Sequence, residues 1–112
     1  MTVRPATVDD LEGCLDLIAA VVDEGQWLGM QPPFDRAERR ERMLGHLADD
    51  RCVTLVANDE AGRITGHLGM RVAPHGVAEL GMCVAAVARR RGIGSALLKE
   101  AVEAALRMGA HK

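Results

Sequence analysis

The apolar residues of this chain change their repeat twice, and the change limits what the chain can build. Up to Asp50 they recur at helical spacing: Leu11, Leu15, Ile18 and Val22 mark a first amphipathic helix, and Met43, Leu44 and Leu47 mark a second within "DRAERRERMLGHLADD". After Asp50 come the β-rich runs "CVTLVA", "RITGHLGMRV" and "VAELGMCV", separated by the turn segments "NDEAG" and "APHG". From about Gly92 to Met108 the helical repeat returns, with Leu97, Leu98, Ala101, Val102, Ala105 and Leu106 on a wide apolar stripe. Three strands joined by short turns form an antiparallel meander. With the short extended stretch "MTVRPAT" in front, the predicted order is β-α-α-β-β-β-α: an α/β (α+β) chain with a mainly antiparallel sheet.

Helix ends support these assignments. Thr7 is placed as the first N-cap with Asp9 and Asp10 at the positive end of the helix dipole, and Asp35 as the second. Gly109 is placed as the C-cap of the last helix. The run "ERRER" is read as a solvated face with Glu/Arg pairing at helical spacing.

At 112 residues the chain has room for one hydrophobic core and is one domain, residues 1–112. With 48% hydrophobic residues, 27% charged residues and a net charge of -2, its composition is that of an ordinary soluble globular protein. No run approaches the ~20 apolar residues of a membrane span, and the first ten residues lack a signal-peptide pattern, so a cytoplasmic location without membrane contact is expected. The mild acidity argues against general nucleic-acid binding. Cys14, Cys52 and Cys83 are widely spaced, and His46, His67, His75 and His111 are scattered. They read as reduced thiols and isolated polar residues, and no metal site is expected.

Between the first two helices, "GQWLGMQPPF" carries two consecutive prolines and the two aromatic residues, Trp27 and Phe34. Trp27, Met30 and Phe34 are candidates for substrate contact from a lid-like loop, the other reading being a small satellite core under the loop.

The chemistry concentrates at "RRRGIGS", residues 89–95, between a strand and a helix. Unpaired N–H groups and the helix dipole favour an anion there. Gly92 and Gly94 let the backbone approach it, Ser95 offers a hydroxyl, and Arg89, Arg90 and Arg91 supply permanent cations. A nucleotide P-loop would need a lysine before Ser95, and a dinucleotide fingerprint would need a small residue where Leu97 stands. What the stretch resembles is the acetyl-coenzyme A loop of the GNAT superfamily of N-acetyltransferases, Gln/Arg-x-x-Gly-x-Gly/Ala, matched by Arg89-Arg90-Arg91-Gly92-Ile93-Gly94 and followed by "SALL". The preceding "AELGMCV" is similar to the family's fourth strand, and the element order is the family's order up to its third helix.

The resemblance implies a fold and a set of roles. The backbone from Arg91 through Ile93 to Ser95 would hold the pyrophosphate of acetyl-CoA, with Arg89 and Arg90 adding charge. Met82, Cys83 and Val84 would lie along the pantetheine arm, and the Val84 N–H would polarise the thioester carbonyl where charge develops. Glu79 is the candidate general base, directly or through a water, the other reading being a strand residue paired with an arginine. Family members continue into a fifth strand, a fourth helix and a hairpin, so the resemblance covers about the first three quarters of the fold, and no tyrosine is present for the family's frequent general acid. Without the fifth strand, the strand ending at Val84 would be an edge. That predicts either a homodimer that completes the sheet or a fragment with weakened activity.

The expected activity is acetyl transfer from acetyl-CoA, used as co-substrate, to a primary amine acceptor by direct attack. The alternative is a non-catalytic acyl-CoA-binding or interaction module. A nucleic-acid-binding reading of the arginines would show as steep salt dependence.

Overall fold

In the computed structural model, residues 2–23, 35–72, 78–85 and 92–107 are described, the side chains of residues 78–80 excepted. The elements are β1 (Thr2–Pro5), α1 (Leu11–Asp23), α2 (Arg36–Leu47), β2 (Cys52–Asn58), β3 (Ile64–Val72), β4 (Ala78–Val84) and α3 (Ile93–Arg107), in the order expected from the sequence. The sheet runs β1-β2-β3-β4 with every neighbouring pair antiparallel.

The alternation of a strand sends successive side chains to opposite faces, and here both faces are covered. Leu55, Ala57, Leu68, Met70 and Val72 pack on one face against Ile93, Leu97 and Ala101 of α3. Val56 and Cys83 pack on the other face against Leu15, Ile18 and Val21 of α1 and Met43 of α2. The sheet is therefore the middle of three layers, and β3 is nearly continuous in burial along its length.

The turn between β2 and β3 is built by Asp59, whose Oδ1 accepts from the N–H groups of Ala61 and Arg63, each at 2.9 Å. Asp35 caps α2 as expected, accepting from the Glu38 N–H at 3.0 Å. The segments 73–77 and 108–112, which carry the "APHG" turn and the expected Gly109 cap, lie outside the described residues.

Four details differ from the sequence reading. The first helix does not run on directly from Thr7: Val8–Asp10 is a 3-10 turn. The Asp10 carboxylate reaches back to the Thr7 N–H at 2.7 Å and to the Arg4 guanidinium at 2.7 and 2.8 Å. In α2 only Met43 is buried, and Leu44 is 40% exposed, because the residues one turn before and after Met43 on its row are Arg39 and His46. In α3 the row Leu98, Val102 and Leu106 is exposed, since the helix rests on the sheet through Leu97, Ala101, Ala104 and Ala105.

The fourth detail is "ERRER", which is not one solvated face. Glu38 and Arg42 do pair at helical spacing, 3.0 Å apart. Arg36 and Arg40 instead cross to α1, meeting Glu12 at 3.0 and 2.9 Å, and Arg36 also meets Asp16 at 2.8 Å. Arg39 turns inward, toward the sheet. Among the described residues, no helix is long and apolar enough to cross a membrane.

Candidate active site

The junction of β4 and α3 is set by the ladder that β4 makes with β3. Ala85 N–H donates to Thr65 O at 2.8 Å, which fixes the antiparallel alternation beyond the end of β4. In that alternation Cys83 and Gly81 form the hydrogen-bonded pairs with His67 and Gly69, while Val84 and Met82 form the non-bonded pairs with Gly66 and Leu68. The backbone N–H and C=O groups of Met82 and Val84 are thus directed to the side of β4 away from β3. The backbone of Cys83 is directed toward His67 instead.

At the far end of that stretch, Gly92 opens α3 with φ +77, a left-handed conformation that favours glycine. The Ala96 N–H donates to Gly92 O at 3.0 Å. This first helical bond leaves the N–H groups of Ile93, Gly94 and Ser95 outside the helical ladder, at the positive end of the dipole. The first turn sits against the sheet: Ile93 is buried, and a Cβ placed on Gly94 would meet Met82 Cε at 3.4 Å. Ser95 is exposed. A diphosphate fits this arrangement, with three N–H groups and an open glycine backbone beside the end of β4.

On the opposite face of the sheet, α2, β2, β3 and β4 line an open cavity of about 700 Å³. Its lining includes Arg39, Arg42, His46, His67, Arg71 and Cys83. It reaches β4 at Gly81, Met82 and Cys83, the stretch that leads to the junction. His67, buried at 6% exposure, is pushed down to about 4 by burial, helped by the positive charges of Arg39 and His46. His46 is lowered as well, first by burial and then by Arg39 and Arg42. Burial likewise lowers Arg39 from its usual range. Cys14, on the buried face of α1, has its thiol pushed up to about 12 by burial, so it behaves as an inert hydrophobe.

Of the residues expected to form the site, Met82, Cys83 and Val84 come together in β4, and Gly92, Ile93, Gly94 and Ser95 come together at the start of α3. Glu79 lies in β4 opposite Arg71, and its side chain lies outside the described residues. Five residue-to-residue steps of strand lead from it to Val84, or ~17 Å, so a proton passed from an amine near Val84 to Glu79 would need a chain of waters. Arg89, Arg90, Arg91, Trp27, Met30 and Phe34 lie outside the described residues. Arg39, Arg42, His46 and Arg71 were not singled out from the sequence. A cationic residue on the row of Met43 was the available sign for Arg39. Among the described residues, no group of three or more His, Cys, Asp or Glu side chains could hold a metal ion.

The profile of the acetyltransferase (GNAT) family matches residues 19–112. No curated protein matches this chain significantly. Among solved structures, a ribosomal-protein-alanine N-acetyltransferase from Brucella melitensis matches with a TM-score of 0.83 and 29% identity, over 99% of this chain and 70% of that one. A GCN5-related N-acetyltransferase from Kribbella flavida matches with a TM-score of 0.80 and 29% identity, over 96% of this chain and 66% of that one. A GNAT superfamily phosphinothricin acetyltransferase from Sinorhizobium meliloti, solved in complex with acetyl-CoA, gives 0.77 and 28%, over 93% of this chain and 58% of that one. This chain thus spans between 58% and 70% of the length of those three proteins. Taken with the four-stranded antiparallel sheet and the glycine-opened helix after β4, the profile match shows that the chain belongs to the acetyltransferase (GNAT) family.

Proposed function

We propose that this chain transfers the acetyl group of acetyl-CoA to a primary amine by direct attack. The observation that carries the reading is the seat of α3 against β4: the N–H groups of residues 93–95 stand outside the helical ladder, and Gly94 lies against Met82 of β4. In this reading Ile93, Gly94 and Ser95 bind the pyrophosphate of the co-substrate, with Arg89, Arg90 and Arg91 adding charge. Met82 and Val84 position the thioester, and the Val84 N–H stabilises the oxygen on which negative charge develops. The neutral amine nitrogen attacks the carbonyl carbon, a C–N bond forms and the C–S bond breaks. The amine proton leaves by water toward Glu79, and the departing thiolate takes a proton from water.

The acceptor enters from the cavity between α2 and the sheet, which borders β4 on the face opposite α3. The test is turnover: acetyl-CoA is incubated with the chain and each member of a panel of primary amines, and N-acetyl product is quantified. Product above the protein-free rate supports the reading. Saturable acetyl-CoA binding without product from any amine would instead support a non-catalytic acyl-CoA-binding module.

A further inference from the structure

The α2 cavity is cationic in a chain that is acidic overall. Arg39 and Arg42 of α2 and Arg71 of β3 line it together with two histidines, and no aspartate or glutamate stands among its described lining residues. The net charge of the chain is -2, so three guanidinium groups around one cavity are a local concentration rather than a general basic surface.

Arg39 sets this cavity apart. The other arginines of its helix have carboxylate partners: Arg36 and Arg40 on α1, and Arg42 on Glu38. Arg39 Nε is buried and has no hydrogen-bond partner among the described residues. A buried donor without an acceptor costs on the order of 1–3 kcal/mol, and more when the group is charged, so it marks a place where an acceptor from outside the chain would be bound with gain. Among the described residues, Cys83 and Glu38 attract Arg39 only through space, Glu38 being itself engaged by Arg42, and Arg42 repels it. His67 and His46, lowered first by burial, are lowered further by Arg39, and among the described residues Asp49 opposes this at His46. Opposite α2, Gly69 and Gly81 pair across β3 and β4, which leaves the sheet floor without side chains at that level.

Resting on the acetyl-transfer reading above, we propose that the acceptor is a small amine that also carries an oxyanion group, a carboxylate or a phosphonate. Its oxyanion pairs with Arg39 beneath α2, and its amine points along the cavity toward Met82 and Cys83. A planar guanidinium binds either oxyanion with two parallel hydrogen bonds, and a cavity of about 700 Å³ suits a small molecule. Arg42, paired with Glu38, and Arg71 line the approach to it.

The test uses matched pairs: an amino acid against its carboxamide, and an aminoalkylphosphonate against its neutral diester. With the parent chain, kcat/KM is expected to be at least tenfold higher for the anionic member of one pair. Arg39→Gln is expected to erase that preference mainly through the KM for the amine, with the KM for acetyl-CoA unchanged, and Arg39→Lys to restore part of it. Because Arg39 Nε has no partner in the free chain, Arg39→Gln is expected to melt no lower than the parent, which a structural arginine would not allow. Equal rates within both pairs, or a preference that survives Arg39→Gln, would overturn the proposal. Where no amine is acetylated, the same pairs are titrated directly by thermal shift. Saturable stabilisation by the anionic member alone, lost in Arg39→Gln, upholds the oxyanion site while the transfer reading fails, and no stabilisation by any member overturns the site itself.

Discussion

Gly66 of β3 and Ile93 of α3 meet so closely that a Cβ on residue 66 would stand 2.8 Å from Ile93 Cγ2 and 2.9 Å from Leu97 Cδ1. Gly66 is the register partner of Val84, so this contact seats the first turn of α3 beside the end of β4. Both α3 side chains are buried, with Leu97 fully enclosed, and have little freedom to withdraw. Gly66→Ala is therefore expected to destabilise the fold by about 1–3 kcal/mol. Calorimetry should show the loss, and acetyl-CoA binding should weaken beyond what the loss of folded protein explains, because the helix start is displaced. An unchanged melting temperature would contradict the contact.

Asp10 ties the first strand to the first helix and gives the fold an acid-sensitive point. Its carboxyl is held down to about 2, from 3.8, first by the hydrogen bond from Arg4 and then by the Thr7 N–H, against the opposing effect of burial. The side chain is 11% exposed, so the interaction is only partly screened. A folded-state value below the unfolded one means the stabilisation is present above pH 3.8 and is lost as pH falls toward about 2. Asp10→Asn is expected to cost about 1–2 kcal/mol at neutral pH. The difference between variant and parent should shrink through that acid window in denaturant titrations. Glu12 is lowered to a similar degree by Arg40 and Arg36 but lies in solvent, so Glu12→Gln should leave stability nearly unchanged.

His67 should remain neutral where an ordinary histidine titrates. Its value is lowered to about 4 from 6.5, so the unfolded chain takes up a proton before the folded one as pH falls. Stability is then whole above pH 6.5 and declines through the window down to about 4, by roughly 3 kcal/mol for the full shift. Imidazole resonances followed by NMR should show no His67 transition between pH 5 and 8, and His67→Gln should flatten the stability slope between 6.5 and 4. A His67 midpoint near 6.5 would contradict the burial of this imidazole in the sheet.

Much of this fold was legible because its signals are local. Asp35 announces α2, the β-rich run "CVTLVA" announces a strand, and Gly92 with Gly94 announces the entry to α3. Rows of side chains on helices were less legible, because a stripe has no fixed width in sequence. Leu98 and Leu97 look alike in one dimension, yet one is 42% exposed and the other fully buried, depending on where the helix meets the sheet. The same ambiguity hid the α2 cavity. Arg39 sits among four arginines with identical local chemistry, and only the approach of β3 and β4 from distant sequence separates it from Arg36 and Arg40.

Ser95 offers a way to separate helix stability from ligand binding. It is exposed in the first turn of α3, where an acidic side chain favours the helix dipole by about 0.3–1 kcal/mol. Ser95→Asp is therefore expected to melt at or slightly above the parent. The same carboxylate would stand where the pyrophosphate is proposed to bind, so the affinity for acetyl-CoA should fall at least tenfold. Retained affinity in this variant would move the diphosphate site away from the start of α3.

If the junction of β4 and α3 holds acetyl-CoA, a thermal-shift titration of the intact chain with acetyl-CoA will register it. A saturable rise in melting temperature that is strongly reduced in Ser95→Asp is expected. No rise with a chain shown intact by mass, or an equal rise in the parent and Ser95→Asp, would contradict it.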